Sequence, residues 1–330
     1  MGGDSTFVSN CSITSEASTG NGNDCIAVHD VPKVVIDCIR LFGKGGSIDS
    51  GIKNDAIDLD DIDSCFLSNS YITNFSDDGI DIGTNTAYAI ISKNLITNCN
   101  FGITAGESSI VYLYNNIVCN NEGGFQTHHD AIVYSYNNTL YSNTYGIECF
   151  HSSDGDEPTG GKAYVYSTII SNSQNEDIHL QPSSFIQFTN CLSDKEELPG
   201  ENNIYGDPLF TNAADGKFTL KTGSPCIGNG FPDGEGNNTT IGAVDEIVDP
   251  TGLAIHEKAT VHCFPNPFLF NFTISLDNDD FITIYNNQGQ PVYSQFLQKG
   301  INTINLHNEA SGLYFIKFAN CQKALTIVKN

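Results

Sequence analysis

Over residues 20–195, apolar and polar residues alternate within short runs, and the runs return at a nearly constant distance. Asp24-Cys-Ile-Ala-Val, Asp55-Ala-Ile-Asp-Leu, Asp78-Gly-Ile-Asp-Ile, Phe101-Gly-Ile-Thr-Ala, Gly123-Gly-Phe-Gln-Thr, Tyr145-Gly-Ile-Glu-Cys and Glu176-Asp-Ile-His-Leu align without gaps. Their central residues, 26, 57, 80, 103, 125, 147 and 178, are separated by 31, 23, 23, 22, 22 and 31 residues. A period of two inside each run predicts short strands, and the constant return predicts a stack of coils in which equal positions lie above one another. Two of the coils carry insertions, Gly43 to Lys53 and Ser152 to Gly161, both rich in Gly and polar residues.

A second apolar column follows half a coil later through Ile72, Ile96, Val118, Leu140 and Ile170. Two residues beyond it stand Asn74, Asn98, Asn120, Ser142 and Asn172. Stacked at the strand spacing of about 4.8 Å, these are expected to form an amide ladder from coil to coil. Asn, Ser, Gly and Asp interrupt every few residues, so helices are poorly supported. A β-sandwich also has many short strands, but it does not repeat the same residue types at a fixed interval. The expectation for residues 1–246 is therefore all-β, a parallel β-helix whose apolar columns face inward.

The pattern resembles the right-handed parallel β-helix superfamily that includes pectate lyases and polygalacturonases, a likeness that specifies fold and not activity. The segment 204–246 adds Asp207-Pro-Leu-Phe-Thr, Phe218-Thr-Leu, Gly223-Ser-Pro-Cys-Ile and Ile241-Gly-Ala-Val-Asp. It is similar to the closing segment of secreted β-helix proteins and is expected to cover the open end of the solenoid. No comparable cap and no signal peptide opens the chain, which suggests a start downstream of the true N-terminus.

A linker, residues 247–260, leads to a different pattern over residues 261–330. Cys263-Phe-Pro-Asn-Pro-Phe268 is followed by strand-like runs separated by Asn286-Asn287-Gln288-Gly289 and Lys299-Gly300, the signature of a small antiparallel sandwich. The order of FPNPF, the segment ending at Gln290, the Ser-Gly-Leu-Tyr-Phe-Ile-Lys317 segment and Lys329 closely resembles the type A sorting domain of the type IX secretion system. That resemblance implies recognition by the type IX machinery, removal of the domain, and a place on the surface of a Gram-negative bacterium.

Charge separates the two regions further. Of the formal net charge of −25, residues 1–246 hold 33 acidic against 9 basic groups, whereas residues 261–330 balance at 4 against 4. So acidic a first region, with Arg40 its one arginine, repels nucleic acid and anionic lipid, and a polyanionic ligand needs a bridging cation. No run of 18 apolar residues exists to span a membrane. The eleven cysteines are odd in number and form no CxxC pair, so at least one is unpaired. Cys65, Cys99, Cys119 and Cys149 are read as small inward hydrophobes.

Nine acidic residues fall between Asp49 and Asp81. The coil register stacks Asp55 on Asp78 and Asp58 on Asp81, an array of hard oxygen ligands suited to Ca²⁺. Ser76-Asp-Asp-Gly-Ile-Asp81 is similar to the calcium motif of certain pectate lyases, and that resemblance adds Asp77 and implies Asp55, Asp77, Asp78 and Asp81 as ligands. The same family places a lysine base one coil later, where this chain has Thr104. Lys93 falls about half a coil away, and Lys53 sits in the insertion just before Asp55. Asp77 and Asp78 are alternatively the paired carboxylates of an inverting glycosidase, although the histidine motif expected beside them is absent.

His128, His129, Asp130, Glu148 and His179 form a second polar group, read as surface residues for want of a third ligand at a suitable spacing. Tyr-x-Tyr recurs at Tyr112/Tyr114, Tyr134/Tyr136 and Tyr164/Tyr166, either as a packed aromatic stack or as sugar-stacking faces. Residues 54–150 also resemble β-helices found beside spore-coat-type kinase domains in large surface proteins, a resemblance that implies a non-enzymatic or unknown role. Two functions are expected from these readings. One is a cell-surface β-helix that binds or presents extracellular polysaccharide with Ca²⁺; the other is a Ca²⁺-dependent uronate lyase or related glycan-cleaving enzyme.

Overall fold

The computed structural model describes residues 5–15, 24–44, 53–152, 159–232, 238–243, 262–264, 268, 270–276, 280–286, 290–318 and 324–329. The linker 247–260 and most of both coil insertions lie outside these residues. The chain forms two compact units, Met1–Ile247 and Val248–Asn330.

The first unit is a parallel β-helix with three sheet faces. Its first face stacks Ile80–Ile82, Phe101–Ala105, Gly123–Thr127, Tyr145–Cys149 and Glu176–Leu180. The second face stacks Tyr88–Ser92, Ile110–Tyr114, Ile132–Tyr136, Lys162–Tyr166 and Phe185–Thr189. The long strands Ile26–Asp37 and Ile57–Ser68 run through both faces and join them into one sheet. A third face runs from Ser12–Thr14 through Leu95–Thr97 and Ile117–Cys119 to Ile204–Tyr205. The only helical turn among the described residues is the 3₁₀ turn Ala213–Asp215.

Register follows the repeat read from the sequence. Ile80 pairs with Ile103, Ile103 with Phe125, Phe125 with Ile147 and Ile147 with Ile178. Ile57, Ile80, Ile103, Phe125 and Ile147 are buried, while Ile178 at the C-terminal end of the face is only partly so. Removing such a column from water, at roughly 25 cal/mol per Å² of apolar surface, is the dominant favourable term in this core. A one-residue slip would turn every one of these side chains outward, which is why the register is so strongly specified.

Among the described residues the expected asparagine column bonds from coil to coil at one step, where Asn172 Nδ2 donates to Ser142 Oγ at 3.3 Å. Asn74, Asn98, Asn120, Ser142 and Asn172 take positive φ values of 55–65° and serve as left-handed corner residues. The buried amide ladders run elsewhere, one through Asn121 and Asn143 beside this column and one through Asn94, Asn116 and Asn138 at the corner between the second and third faces. Asn94 donates to Asn116 Oδ1 and Asn116 to Asn138 Oδ1, both at 3.0 Å, and Asn121 donates to Asn143 Oδ1 at 3.2 Å, with all five side chains buried. Paired asparagines such as Asn115-Asn116 thus divide two tasks: the first turns the backbone through φ 53°, and the second points inward to satisfy buried polar groups.

The closing segment also differs from its expected place. Phe210, Phe218, Cys226, Ile241 and Ala243 pack with Ile117, Cys119, Ile169 and Leu192 in a separate apolar cluster on the outer side of the third face. Thr139 Oγ1 donates to Ala243 O at 3.1 Å, and Asn137 Nδ2 donates to Thr240 O at 2.6 Å. The segment therefore folds back along the coils and does not simply cover their last edge. The third face needs that cover because Ile117-Val118-Cys119 and Ile169-Ile170-Ser171 are buried on both sides. For the same reason Cys119 belongs to this outer cluster, whereas Cys65, Cys99 and Cys149 lie in the inner core as expected.

The named strands of the second unit pair antiparallel, with one isolated parallel bridge between Phe268 and Lys329. One sheet orders His262–Phe264, Asn271–Leu276 and Gly300–Asn305; the other orders Pro291–Leu297, Asp280–Asn286, Gly312–Phe318 and Ala324–Lys329. Phe272, Ile274, Ile282, Ile284, Ile304, Ile316 and Ile327 form their shared core.

Candidate functional site

The outer side of the first face collects the polar chemistry of the β-helix. Alternation sends Ile57, Leu59, Ile80 and Ile82 into the core, so the intervening Asp58, Asp60 and Asp81 point outward. Just before these strands, aspartates form a ladder of their own. Asp24 Oδ1 accepts from Asp55 N at 2.8 Å, Asp55 Oδ1 from Asp78 N at 2.7 Å, and Asp78 Oδ1 from Phe101 N at 3.1 Å. Each carboxylate in this ladder keeps its second oxygen for another partner.

Asp55, Asp77 and Asp78 each bring a carboxylate oxygen to within 4.8 Å of the other two. Asp77 is held by Asn100 Nδ2 at 3.0 Å and approached by the Lys53 ammonium at 3.9 Å. Thr104, buried one coil later, donates its hydroxyl to Asp78 Oδ2 and accepts from Gln126 Nε2 at 2.8 Å. Its place in that chain makes Thr104 a support for Asp78. Among the described residues, the lysine that reaches the cluster is Lys53.

Crowding shows in the protonation of the array. Burial first, then the Asp78 and Asp81 charges, push Asp55 up to about 9. Burial and then Asp78, Asp58 and Asp60 raise Asp81 to about 8. Asp78 is raised to about 7 by burial and Asp77, against the opposing hydrogen bonds of Thr104 and Phe101 and the charge of Lys53. Without a compensating cation, neighbouring carboxylates of this kind resist ionising together.

The five residues singled out as calcium ligands are thus all on one face, but the structure divides them. Asp55, Asp77 and Asp78 form one group; Asp58 belongs to another with His29 and Asp60; Asp81 lies between, coupled to Asp58, Asp60 and Asp78. The sequence reading missed His29 and Asp60. The signal was present, since the 31-residue first step that sets Ile26 on Ile57 also sets His29 on Asp60.

Further along the same face, Gln126 pairs with Glu148 and Glu148 with His179. His179 Nε2 stands 3.7 Å from Glu148 Oε1, and its Nδ1 stands 3.1 Å from Glu176 Oε2. Burial raises the Glu148 carboxyl, and His179 opposes that rise. His128 and His129 lie against each other, with burial and then the His129 charge lowering His128 to about 4. A separate cavity of about 350 Å³ is lined by Asn190, Asn202, Ile204, Asn229, Pro232 and Asn238, beside the closing segment.

On the second face the tyrosines form two lanes. Tyr112–Tyr134 and Tyr134–Tyr164 stack at 5.1 and 5.3 Å, and Tyr114–Tyr136 and Tyr136–Tyr166 at 5.3 and 4.8 Å, with interplanar angles of 9–18°. Their ring faces are turned to one another, which leaves edges and hydroxyls for solvent. Of the two readings, packing is the one the geometry supports.

Comparison with known proteins agrees with this architecture. The family model for the right-handed beta helix region matches residues 1–192, and that for the secretion system C-terminal sorting domain matches residues 262–329. Among solved structures, "Crystal structure of pectate lyase Pel9A" superposes with a TM-score of 0.39 and 10% sequence identity, covering 74% of this chain and 88% of that one. No curated protein matches. Among the described residues no helix is long and apolar enough to cross a membrane.

Proposed function

The chain belongs to the right-handed β-helix family and ends in a secretion system C-terminal sorting domain, and from that premise we propose a surface protein that binds polysaccharide through Ca²⁺. The sorting domain directs export by type IX secretion to the cell surface or the extracellular space. The finer reading places the protein on a Gram-negative cell, with the outer side of the first face turned to extracellular polysaccharide.

The observation that carries this reading is the convergence of Asp55, Asp77 and Asp78, with oxygens within 4.8 Å of one another and Asp81 beside them. Ca²⁺ takes six to eight oxygen ligands at roughly 2.3–2.6 Å, more than this group provides. The remainder is open to water and to the carboxylates or hydroxyls of a sugar chain. A bridging ion of this kind resolves the problem set by the net charge of −25, because an acidic face otherwise repels an acidic glycan. Isothermal titration of the intact chain should give calcium heat that Asp77→Asn and Asp78→Asn abolish; equal heat in both variants would overturn the assignment.

A second reading is favoured by one contact. Lys53 Nζ lies 3.9 Å from Asp77, at the edge of the candidate ion site. In a uronate lyase, a lysine at this position would take the proton α to the uronate carboxylate as the C4–O bond to the leaving sugar breaks. Ultraviolet detection of unsaturated uronate, lost on Lys53→Ala, would establish that activity.

A further inference from the structure

His29 projects from Ile26–Asp37 one coil before Asp58 and Asp60, and its ring lies between their carboxylates. The Nε2 atom is 3.8 Å from Asp58 Oδ2, and the Nδ1 atom is 3.5 Å from Asp60 Oδ2. Each of the three residues brings one ligand atom within 4.8 Å of the other two. From this geometry we infer a second cation site at His29, Asp58 and Asp60, separate from the Asp55–Asp77–Asp78 group and selective for a borderline divalent transition metal such as Zn²⁺ or Co²⁺.

The donor set decides the kind of ion. Asp55, Asp77 and Asp78 offer oxygen alone and suit a hard ion that accepts many oxygens. An imidazole nitrogen joined to two carboxylates suits Zn²⁺, Co²⁺ or Ni²⁺, which bind histidine at about 2.0–2.1 Å. Contraction from the present separations to that length requires side-chain adjustment only, because all three groups already face outward from adjacent strands.

The surroundings favour a dication over a simple ion pair. Asp60 Oδ1 is anchored by Thr84 N at 2.6 Å, which leaves Oδ2 turned to His29. Gly83 occupies the next coil, where a Cβ would come within 2.4 Å of Asp60 Oδ1, so the anchored carboxylate depends on the missing side chain. Asp24 and Asp60 act on Asp58 as like charges, and Asp58 and Asp60 act likewise on Asp81. One imidazolium supplies at most a single positive charge to this group. A bound dication leaves the imidazole neutral and still supplies two.

Visible absorption of Co²⁺ titrated into the intact chain tests the inference, because nitrogen and carboxylate coordination in a site of low symmetry intensifies the ligand-field bands. Wild-type protein should bind Co²⁺ with Zn²⁺ competing and with Ca²⁺ a poor competitor. His29→Gln should weaken Co²⁺ binding by at least about tenfold, equivalent to 1.4 kcal/mol, while leaving any calcium heat unchanged. Asp77→Asn should do the reverse, so failure of the calcium reading and failure of this one are distinguishable. His29 is exposed, and its replacement therefore tests the site without removing core packing. Unchanged Co²⁺ affinity in His29→Gln, or full displacement of Co²⁺ by equimolar Ca²⁺, would overturn the proposal.

Discussion

Stripping divalent ions from the protein should invert the usual acid sensitivity of an acidic chain between pH 4 and 9. Asp55, Asp78 and Asp81 are all held above the ordinary value of 3.8. A raised carboxyl contributes most to stability below its unfolded pKa, where it is protonated in both states. That contribution is lost as pH rises through the folded value, because the unfolded chain ionises first. For Asp78, held at about 7, ionisation in the folded state costs on the order of 4 kcal/mol at 1.36 kcal/mol per tenfold change in proton affinity. Asp55 and Asp81 add in the same direction, with part of their effect screened by solvent. At roughly 2–4 °C per kcal/mol for a unit of this size, the metal-free midpoint should fall by about 10 °C or more from pH 4 to pH 9. Calcium at 100 Kd returns about 2.7 kcal/mol and should flatten the profile, more strongly at high pH where its ligands are ionised. Scanning calorimetry in chelator and in excess Ca²⁺ measures both curves. A metal-free midpoint that stays level or rises over this range, or parallel curves in the two conditions, would refute the electrostatic argument.

Other consequences follow from the ladders and the second unit. Asn116→Ala removes hydrogen bonds to Ile91 O and Asn138 Oδ1 and strands the Asn94 backbone N–H, so it should cost about 3 kcal/mol or more in chemical denaturation. Tyr134→Phe should be nearly silent in thermal unfolding, whereas Tyr134→Ala should destabilise by about 1–3 kcal/mol through loss of two stacking partners, Tyr112 and Tyr164. Cells that export the protein should yield a mature form lacking roughly residues 261–330, a region containing the matched sorting domain 262–329; intact mass of surface material still carrying Lys329 would contradict this.

The β-helix was legible because its information is periodic. Ile80, Ile103, Phe125 and Ile147 repeat a large apolar residue every 22 or 23 residues, and burial on the inner side leaves a single register. The sorting domain was legible by the order of its motifs. The expected asparagine column lies one residue from the buried Asn121–Asn143 ladder and misses the Asn94–Asn116–Asn138 ladder, because Asn serves both as a left-handed corner and as a buried amide, and adjacent asparagines hide which does which. The path of the closing segment was not readable, since Phe210 and Phe218 could cover an end or a side with the same composition. The acidic cluster was placed on the correct face by alternation. Its division was hidden because the partner of Asp60, His29, lies one long coil away across an insertion.

Equilibrium binding of the intact chain to an acidic polysaccharide, with and without Ca²⁺, tests the central claim most directly. Polygalacturonate is a suitable probe because its carboxylates require the bridging ion that Asp55, Asp77 and Asp78 are proposed to hold. The account predicts retention in Ca²⁺, release by chelator, and loss of retention in the Asp77→Asn, Asp78→Asn double variant at unchanged folding. Retention that survives chelation, or that the double variant keeps in full, would contradict it.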